Sequence, residues 1–337
     1  MATSNSISAP NGLPDSNSTP QTTQDALRRR QLPTMTLSDG SSSSMTGPPP
    51  PMPHYLNATG RALRRFAVEG NAIITGGAGT LALISARALL DHGLSNLALF
   101  DLPSSLRNPA SLSILTSLRV EFPGSIIETY EVDVTDETAV GEAVEQVVRD
   151  LGGKEGEEGS EAGGEGGIDI LCCFAGLVGC QHADQMSVGE WRRILDVNTT
   201  GAFICAQAVA KQMQRLKTGG SIVLISSISA HRTNYPQPQS AYNASKAALL
   251  SLKSSLAAEW AVHGIRINSI SPGYMDTILN EGEGLEEARR IWTSRNPMGR
   301  MGSPEELTGA VVLLCSSWAG RYITGSDLVV DGGQSVF

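Results

Sequence analysis

Tyr242 and Lys246 stand four residues apart in Tyr242-Asn243-Ala244-Ser245-Lys246, near the start of a long run with helical periodicity. Residues at i and i+4 share a helix face, so a phenol and an ammonium would project into one space. A neighbouring cation favours phenolate and draws a tyrosine down from its usual pKa of ~10. Bringing it to ~7 takes roughly 4 kcal/mol of differential stabilisation, within reach of the ammonium and a cofactor cation acting together in a dry cleft. Fifteen residues before Tyr242, the run Gly220-Ser221-Ile222-Val223-Leu224-Ile225 ends in two hydroxyls, Ser226 and Ser227. A positioned proton donor, a charge that tunes it and a hydroxyl beside a developing alkoxide are the parts of general acid–base chemistry.

A second constellation lies upstream. Ile73-Ile74-Thr75-Gly76-Gly77-Ala78-Gly79-Thr80-Leu81-Ala82 places a glycine-rich turn between an apolar run and a helical one. Glycines let backbone approach a pyrophosphate, and a helix N-terminus offers it N–H donors and a favourable dipole. The next apolar run ends in Asp101, whose carboxylate can accept both ribose hydroxyls of an adenosine and would repel a 2′-phosphate. No Arg or Lys occurs in the turn or directly after Asp101, so the spacing favours NAD over NADP. Asp133, in Val132-Asp133-Val134-Thr135, falls where an adenine edge would lie, or caps the following helix.

These residues need a frame. From Asn71 on, short apolar runs alternate with helical stretches. The strands expected are Asn71–Thr75, Asn96–Asp101, Ile126–Val132, Ile168–Phe174, Ser221–Ser226, Arg266–Ile270 and Asp327–Val330. The helices include Leu81–Asp91, Glu137–Asp150, Trp191–Leu216 and Ala241–His263. Strands apolar throughout and separated by helices give a doubly wound, Rossmann-like α/β domain with a parallel sheet covered on both faces. We place this single domain at residues 70–337, with a lead-in at 54–69. Of the first 53 residues, 17 are Ser or Thr and 9 are Pro, too little apolar surface to offset ordering, so this tail is expected to be disordered. Gly152–Gly167, with 13 Gly or Glu in 16 residues, reads as a solvated, mobile insertion at the sheet edge away from the ligand end.

Composition narrows the function. Of the net charge of −9, the first 70 residues carry +2 and the remainder −11, which argues against a nucleic-acid-binding fold. Five cysteines form no CxxC pair and no metal spacing, so neither a disulfide framework nor a metal is expected, and Cys172 and Cys173 read as core thiols. No apolar run reaches the roughly 18 residues of a membrane span. The tail is Ser-rich and acid-poor like a transit peptide, but its first basic residue is Arg28. A soluble, cytoplasmic protein is the expectation.

In their order along the chain these motifs resemble the short-chain dehydrogenase/reductase family. The match runs from Phe66 to Phe337 through Thr75-Gly76-Gly77, Asp133-Val134, Ala175-Gly176, Asn198, Ser227, Tyr242/Lys246, Ser271-Pro272-Gly273 with Thr277, Tyr322-Ile323-Thr324-Gly325, and Val330-Asp331-Gly332-Gly333. The stretch Ser227–His231 through Asn234-Tyr235-Pro236-Gln237 to Tyr242 resembles the polyol dehydrogenase and ketose reductase branch (sorbose reductase, mannitol and arabinitol 2-dehydrogenases). The resemblance implies an NAD-dependent enzyme interconverting a secondary alcohol and a ketone, with a polyol/ketose pair as leading substrate class. A ketoreductase of larger lipid-like or secondary-metabolite carbonyls and a non-catalytic NAD-sensing scaffold are the alternatives.

It also implies roles. Tyr242 would be the general acid/base. Lys246 would lower its pKa and hold the nicotinamide ribose. Ser227 would hold the substrate oxygen, Asn198 would anchor a water relaying protons to Lys246, and Thr277 would hold the carboxamide. Gly76, Gly79, Thr80, Leu81, Asp101, Asp133, Val134, Ala175, Gly176, Pro272 and Gly273 would complete the cofactor site. Ser229 is the rival for Ser227; Ser229 and His231 are candidates to touch substrate, and His182 a weaker one. Thr80 and Ala82 replace the second and third glycines of the family's turn, and Cys173-Phe174-Ala175-Gly176 replaces its NNAG. The first change is expected to give a phosphate a hydroxyl or to weaken cofactor binding, the second to repack neighbouring strands. Leu279–Ser294 would form a mobile lid. The low charge of Thr199–Leu216 and Ser240–His263 leaves apolar surface beyond what one sheet face can cover, and in the family this helix pair builds dimers and tetramers.

Overall fold

Short runs that are apolar at every position have no face to offer water, so they take the centre of a sheet covered on both sides. β1 (Asn71–Thr75), β4 (Ile170–Cys173) and β5 (Gly220–Ile225) are buried along almost their whole length and lie side by side. β2 (Asn96–Asp101) and β6 (Ile265–Pro272) flank them, and the more exposed β3 (Ile127–Glu131) and β7 (Asp327–Val330) are the edges. The order is β3-β2-β1-β4-β5-β6-β7, all parallel, as expected of a doubly wound fold. The structure, a computed structural model, describes residues 32–152, 166–277, 280 and 282–336. Of the expected disordered tail, residues 1–31 lie outside the described residues, as do 153–165 of the Gly/Glu insertion and Leu279 and Glu281 of the expected lid.

Strand ends shift by a residue or two. β6, expected to stop at Ile270, continues because Ser271 and Pro272 pair with Val329 and Val330 of β7. The helices are α1 (Ala58–Arg65), α2 (Thr80–Asp91), α3 (Pro103–Leu106), α4 (Pro109–Glu121), α5 (Glu137–Leu151), α6 (Val188–Leu195), α7 (Gly201–Leu216), α8 (Ser240–Trp260), α9 (Glu286–Ser294) and α10 (Thr308–Cys315). The single helix expected over Trp191–Leu216 is instead α6 and α7 joined by a π-helical turn, Asp196–Thr200.

Successive strand residues point to opposite faces, and two cores follow from that alternation. Ile74, Leu99, Cys172 and Val223 pack with Leu83, Leu89, Leu115 and Val311 from α2, α4 and α10. Ile73, Phe100, Leu171 and Leu224 pack with Val144, Val209 and Leu249 from α5, α7 and α8. Leu37–Phe337 form one compact unit; of what precedes it, residues 32–36 are described and carry no regular element. Within that unit Met45–Pro49, with Asp169, Gly220 and Arg266, lines a cavity of about 1000 Å³ at the N-terminal end of the strands.

Candidate active site

After β3 the chain crosses the sheet and starts again at β4, beside β1, so the loops leaving β1 and β4 part and open a crevice at the carboxyl ends of the strands. The glycine-rich turn forms its floor. Gly76 has φ +64°, and a Cβ there would lie 2.6 Å from the Ala175 nitrogen, so both the backbone conformation and the closeness of the β4 loop require glycine. Gly79 stands at the N-cap of α2 with no side-chain cap, leaving first-turn N–H groups directed at the crevice. Asp101, at the end of β2, accepts the Ala78 N–H at 3.0 Å and the Leu102 N–H at 2.7 Å. These bonds fix the carboxylate against the turn. Ser111 of α4 donates to the Ala78 carbonyl at 2.9 Å and holds the turn from its other side.

Asp101, Asp133, Val134, Ala175 and Gly176 line a cavity of about 1130 Å³, and Gly76, Gly79, Thr80 and Gly176 lead from it into a second of about 710 Å³. Asp133 accepts from the Thr135 N–H at 2.9 Å, while Asp136 caps α5, so the cap role open to Asp133 falls to its neighbour. Thr80 opens α2 and lines both cavities. An uncapped helix start, a cradle that a Cβ would fill and a carboxylate fixed beside the turn fit a dinucleotide.

The second cavity carries the acid–base residues. Tyr242 and Lys246 lie in the first turns of α8, and Ser227 follows β5 at the N-cap of a 3₁₀ turn, Ile228–Ala230. The Ser227 hydroxyl donates to Ser229 Oγ at 3.0 Å and accepts the Ser229 N–H at 3.1 Å. Both serines line the cavity with Tyr242, and Ser227 is the one that acts on the phenol, drawing its pKa down. Lys246 is buried; its Nζ donates to the Ile225 carbonyl at 2.7 Å and lies 5.7 Å from the Tyr242 ring centre. With the ammonium engaged there, burial governs the phenol. Desolvation pushes Tyr242 up to about 12 against the opposing influence of Ser227, where the sequence led us to expect a lowered value. The phenol therefore holds its proton at neutral pH. Burial also pulls Lys246 down to about 8.

That shift has a measurable consequence for stability. Between about pH 8 and the ordinary lysine value of ~10.4, the unfolded chain binds a proton at this position that the folded chain has released, so stability rises with pH there. The wild type is expected to gain about 2 kcal/mol on Lys246→Met between pH 7.5 and 9.5, read from denaturant unfolding of both proteins. A constant difference across that window would show that Lys246 does not titrate early.

Asn198 lies on the π-helical turn and is buried. Its Oδ1 accepts the Leu177 N–H at 2.7 Å, and its Nδ2 donates to the Leu177 carbonyl and to Ser245 Oγ, both at 2.9 Å. Its side chain is thus a strut between the β4 loop and α8. Leu81, Pro272, Gly273 and Thr277 line the second cavity with Tyr242, as expected. His231 does not: its Nε2 turns to Asp327 at 2.9 Å and Ser271 at 3.2 Å, drawn by a carboxylate on β7. His182 is exposed and is likewise not among the residues lining either cavity.

A family model described as enoyl-(acyl carrier protein) reductase, of short-chain dehydrogenase/reductase type, matches residues 77–335. The chain belongs to the short-chain dehydrogenase/reductase family. D-arabinitol 2-dehydrogenase [ribulose-forming] of Scheffersomyces stipitis is 35% identical over 277 residues, covering 80% of this chain and 95% of the relative. NADP-dependent mannitol dehydrogenase of Hypocrea jecorina is 34% identical over 287 residues, covering 84% and 99%. The crystal structure of a short-chain type dehydrogenase/reductase from Mycobacterium marinum superposes with a TM-score of 0.70 at 36% identity, over 81% of this chain and 98% of that one.

As a short-chain dehydrogenase/reductase the protein is an NAD(P)-dependent oxidoreductase of CH–OH groups. Among the described residues no helix is long and apolar enough to cross a membrane, and no three His, Cys, Asp or Glu gather as metal ligands. In this dehydrogenase/reductase the altered NNAG leaves Cys172 and Cys173 buried, with Cys172 Sγ 3.7 Å from Cys315 Sγ. Of the second cavity's remaining wall, sequence reasoning placed Trp292 in the expected lid and Asn234 and Gln237 in the branch-like stretch, but missed Tyr274. There Tyr274 and Trp292 of α9 stack 4.2 Å apart and 6° from parallel. A tyrosine directly after the Pro-Gly turn was the available signal.

Proposed function

We propose that the protein interconverts a polyol and its ketose, using NAD, with Tyr242 as proton donor and acceptor. The observation that carries this reading is the convergence of Ser227, Tyr242 and Lys246 on one cavity that opens directly into the Asp101 crevice. Gly76, Gly79 and the start of α2 would hold the pyrophosphate, Asp101 the adenosine ribose, and Lys246 and Thr277 the nicotinamide end. When bound, the cofactor supplies or takes up the hydride. Tyr242, protonated, gives its proton to the carbonyl oxygen in reduction; in oxidation its phenolate takes the proton back from the alcohol. Ser227 holds that oxygen as charge develops on it. Asn198 keeps the β4 loop and α8 in register around them.

Three points support NAD. The Asp101 carboxylate is fixed where a 2′-phosphate would come, and no lysine lines that cavity among the described residues. Arg193, which does line it, is engaged by Glu190 through two bonds of 2.9 and 2.8 Å. The arabinitol and mannitol dehydrogenases at 34–35% identity support the polyol class. A dimer or tetramer built on α7 and α8, and a cytoplasmic setting, belong to the same reading.

The test is absorbance at 340 nm with a panel of polyols and ketoses, each run with NAD(H) and NADP(H). Turnover of one or more pairs with NAD(H) is the expected result. Turnover of bulky apolar ketones but of no polyol or ketose would overturn the substrate class, and turnover with NADP(H) alone would overturn the cofactor.

A further inference from the structure

The cavity wall facing Tyr242 is built from three separate segments that meet at one hydroxyl. Trp292 of α9 donates its indole N–H to Gln237 Oε1 at 3.0 Å. An indole can only donate, which fixes the Gln237 amide and directs its Nε2 at Tyr274 Oη, 2.9 Å away. Asn234 Nδ2 donates to the same oxygen, also at 2.9 Å. Tyr274 Oη thus accepts two bonds, while no acceptor among the described residues takes its proton. Asn234 Oδ1 is its complement, an acceptor shut away from water with no partner. Leaving such a buried group unpaired is costly. Turning the Asn234 amide over would hand it the Tyr274 proton and leave its own N–H unspent. With the amide as placed, two donated bonds fix the Tyr274 oxygen and leave its proton for a substrate hydroxyl to accept. Both residues line the cavity that contains Tyr242 and Ser227.

We infer that Tyr274 and Asn234 form a hydroxyl-reading pair that selects a carbonyl substrate with a further hydroxyl away from the reacting carbon. Trp292 and Gln237 are its positioning residues: the indole stacks on Tyr274 and its N–H sets the amide that buttresses the reader. The inference rests on the polyol/ketose reading and deepens it. It places the choice between a ketose and a plain ketone on the wall across from the acid–base residues, in contact with α9.

Three proteins, wild type, Tyr274→Phe and Asn234→Ala, would be assayed for reduction of a 2-ketohexose and of 2-hexanone, with kcat and KM measured separately. The phenylalanine keeps the stack on Trp292 and removes only the hydroxyl. We expect the wild type to favour the ketose. We expect Tyr274→Phe to move the ketose-to-alkanone ratio of kcat/KM at least tenfold toward the alkanone, mostly through KM, with Asn234→Ala moving it in the same direction. An equal fall on both substrates, or an unmoved ratio, would sink the hydroxyl reader while ketose turnover kept the broader reading intact. A wild type that reduces the alkanone but no ketose would overturn both. Should Tyr274→Phe fail to fold, Asn234→Ala decides by the same ratio.

Discussion

Replacing Tyr242 by Phe is expected to lower turnover roughly a thousandfold, since a positioned general acid contributes on the order of 10²–10⁴, while NADH still binds. The change removes one oxygen from a ring that stays packed at the start of α8. Ser227 keeps its bond to Ser229. Because burial holds the Tyr242 phenol up to about 12, the wild type has its donor protonated throughout the neutral range, and reduction should not lose its acid there. Steady-state rates at 340 nm, beside a fluorescence titration with NADH, measure both halves. A loss of less than tenfold would remove Tyr242 from the proton path.

The second large effect is expected at Asp101. Asp101→Asn keeps the shape and an oxygen for the Ala78 or Leu102 N–H, but removes the charge. Two consequences push the same way. The ribose hydroxyls lose charge-assisted bonds, worth about 1.5–3 kcal/mol, and a 2′-phosphate no longer meets a like charge. Together they should move the ratio of kcat/KM for NADH over NADPH roughly a hundredfold toward NADPH. A ratio that does not move would mean that the discrimination lies elsewhere, and a wild type that already prefers NADPH would overturn the NAD assignment.

The frame was legible because each element carries one dominant signal. β1, β4 and β5 are apolar throughout, and only a central parallel strand satisfies that pattern. The glycine-rich turn, Asp101 and the Tyr242/Lys246 pair could be read because their spacing in the chain nearly equals their arrangement in space. His231 could not be read that way. Its place after β5 pointed to the ligand end, but its direction is set by Asp327, 96 residues later and on the far edge. The Tyr242 pKa failed for a related reason: i and i+4 put the two groups together, yet a buried carbonyl at Ile225 competes for the ammonium and lies outside the motif. Of the wall of Asn234, Gln237, Tyr274 and Trp292, two segments were marked separately, one by resemblance and one as a lid, but that they meet at Tyr274 leaves no trace in periodicity.

The π-helical turn between α6 and α7 bears on how freely this enzyme can change. Each residue advances an α-helix by about 100°, so a continuous helix from Val188 to Leu216 would lock the aim of Asn198 to the stripe that α7 lays on the sheet. The wider turn slips the phase between them. Cys205, Val209 and Met213 can face the core on one timetable while Asn198 is set toward Leu177 and Ser245 on another. Mutational drift along the packing stripe of α7 is thereby uncoupled from the strut that keeps Tyr242 and Lys246 in place, and the two surfaces can evolve as separate modules of one run of sequence.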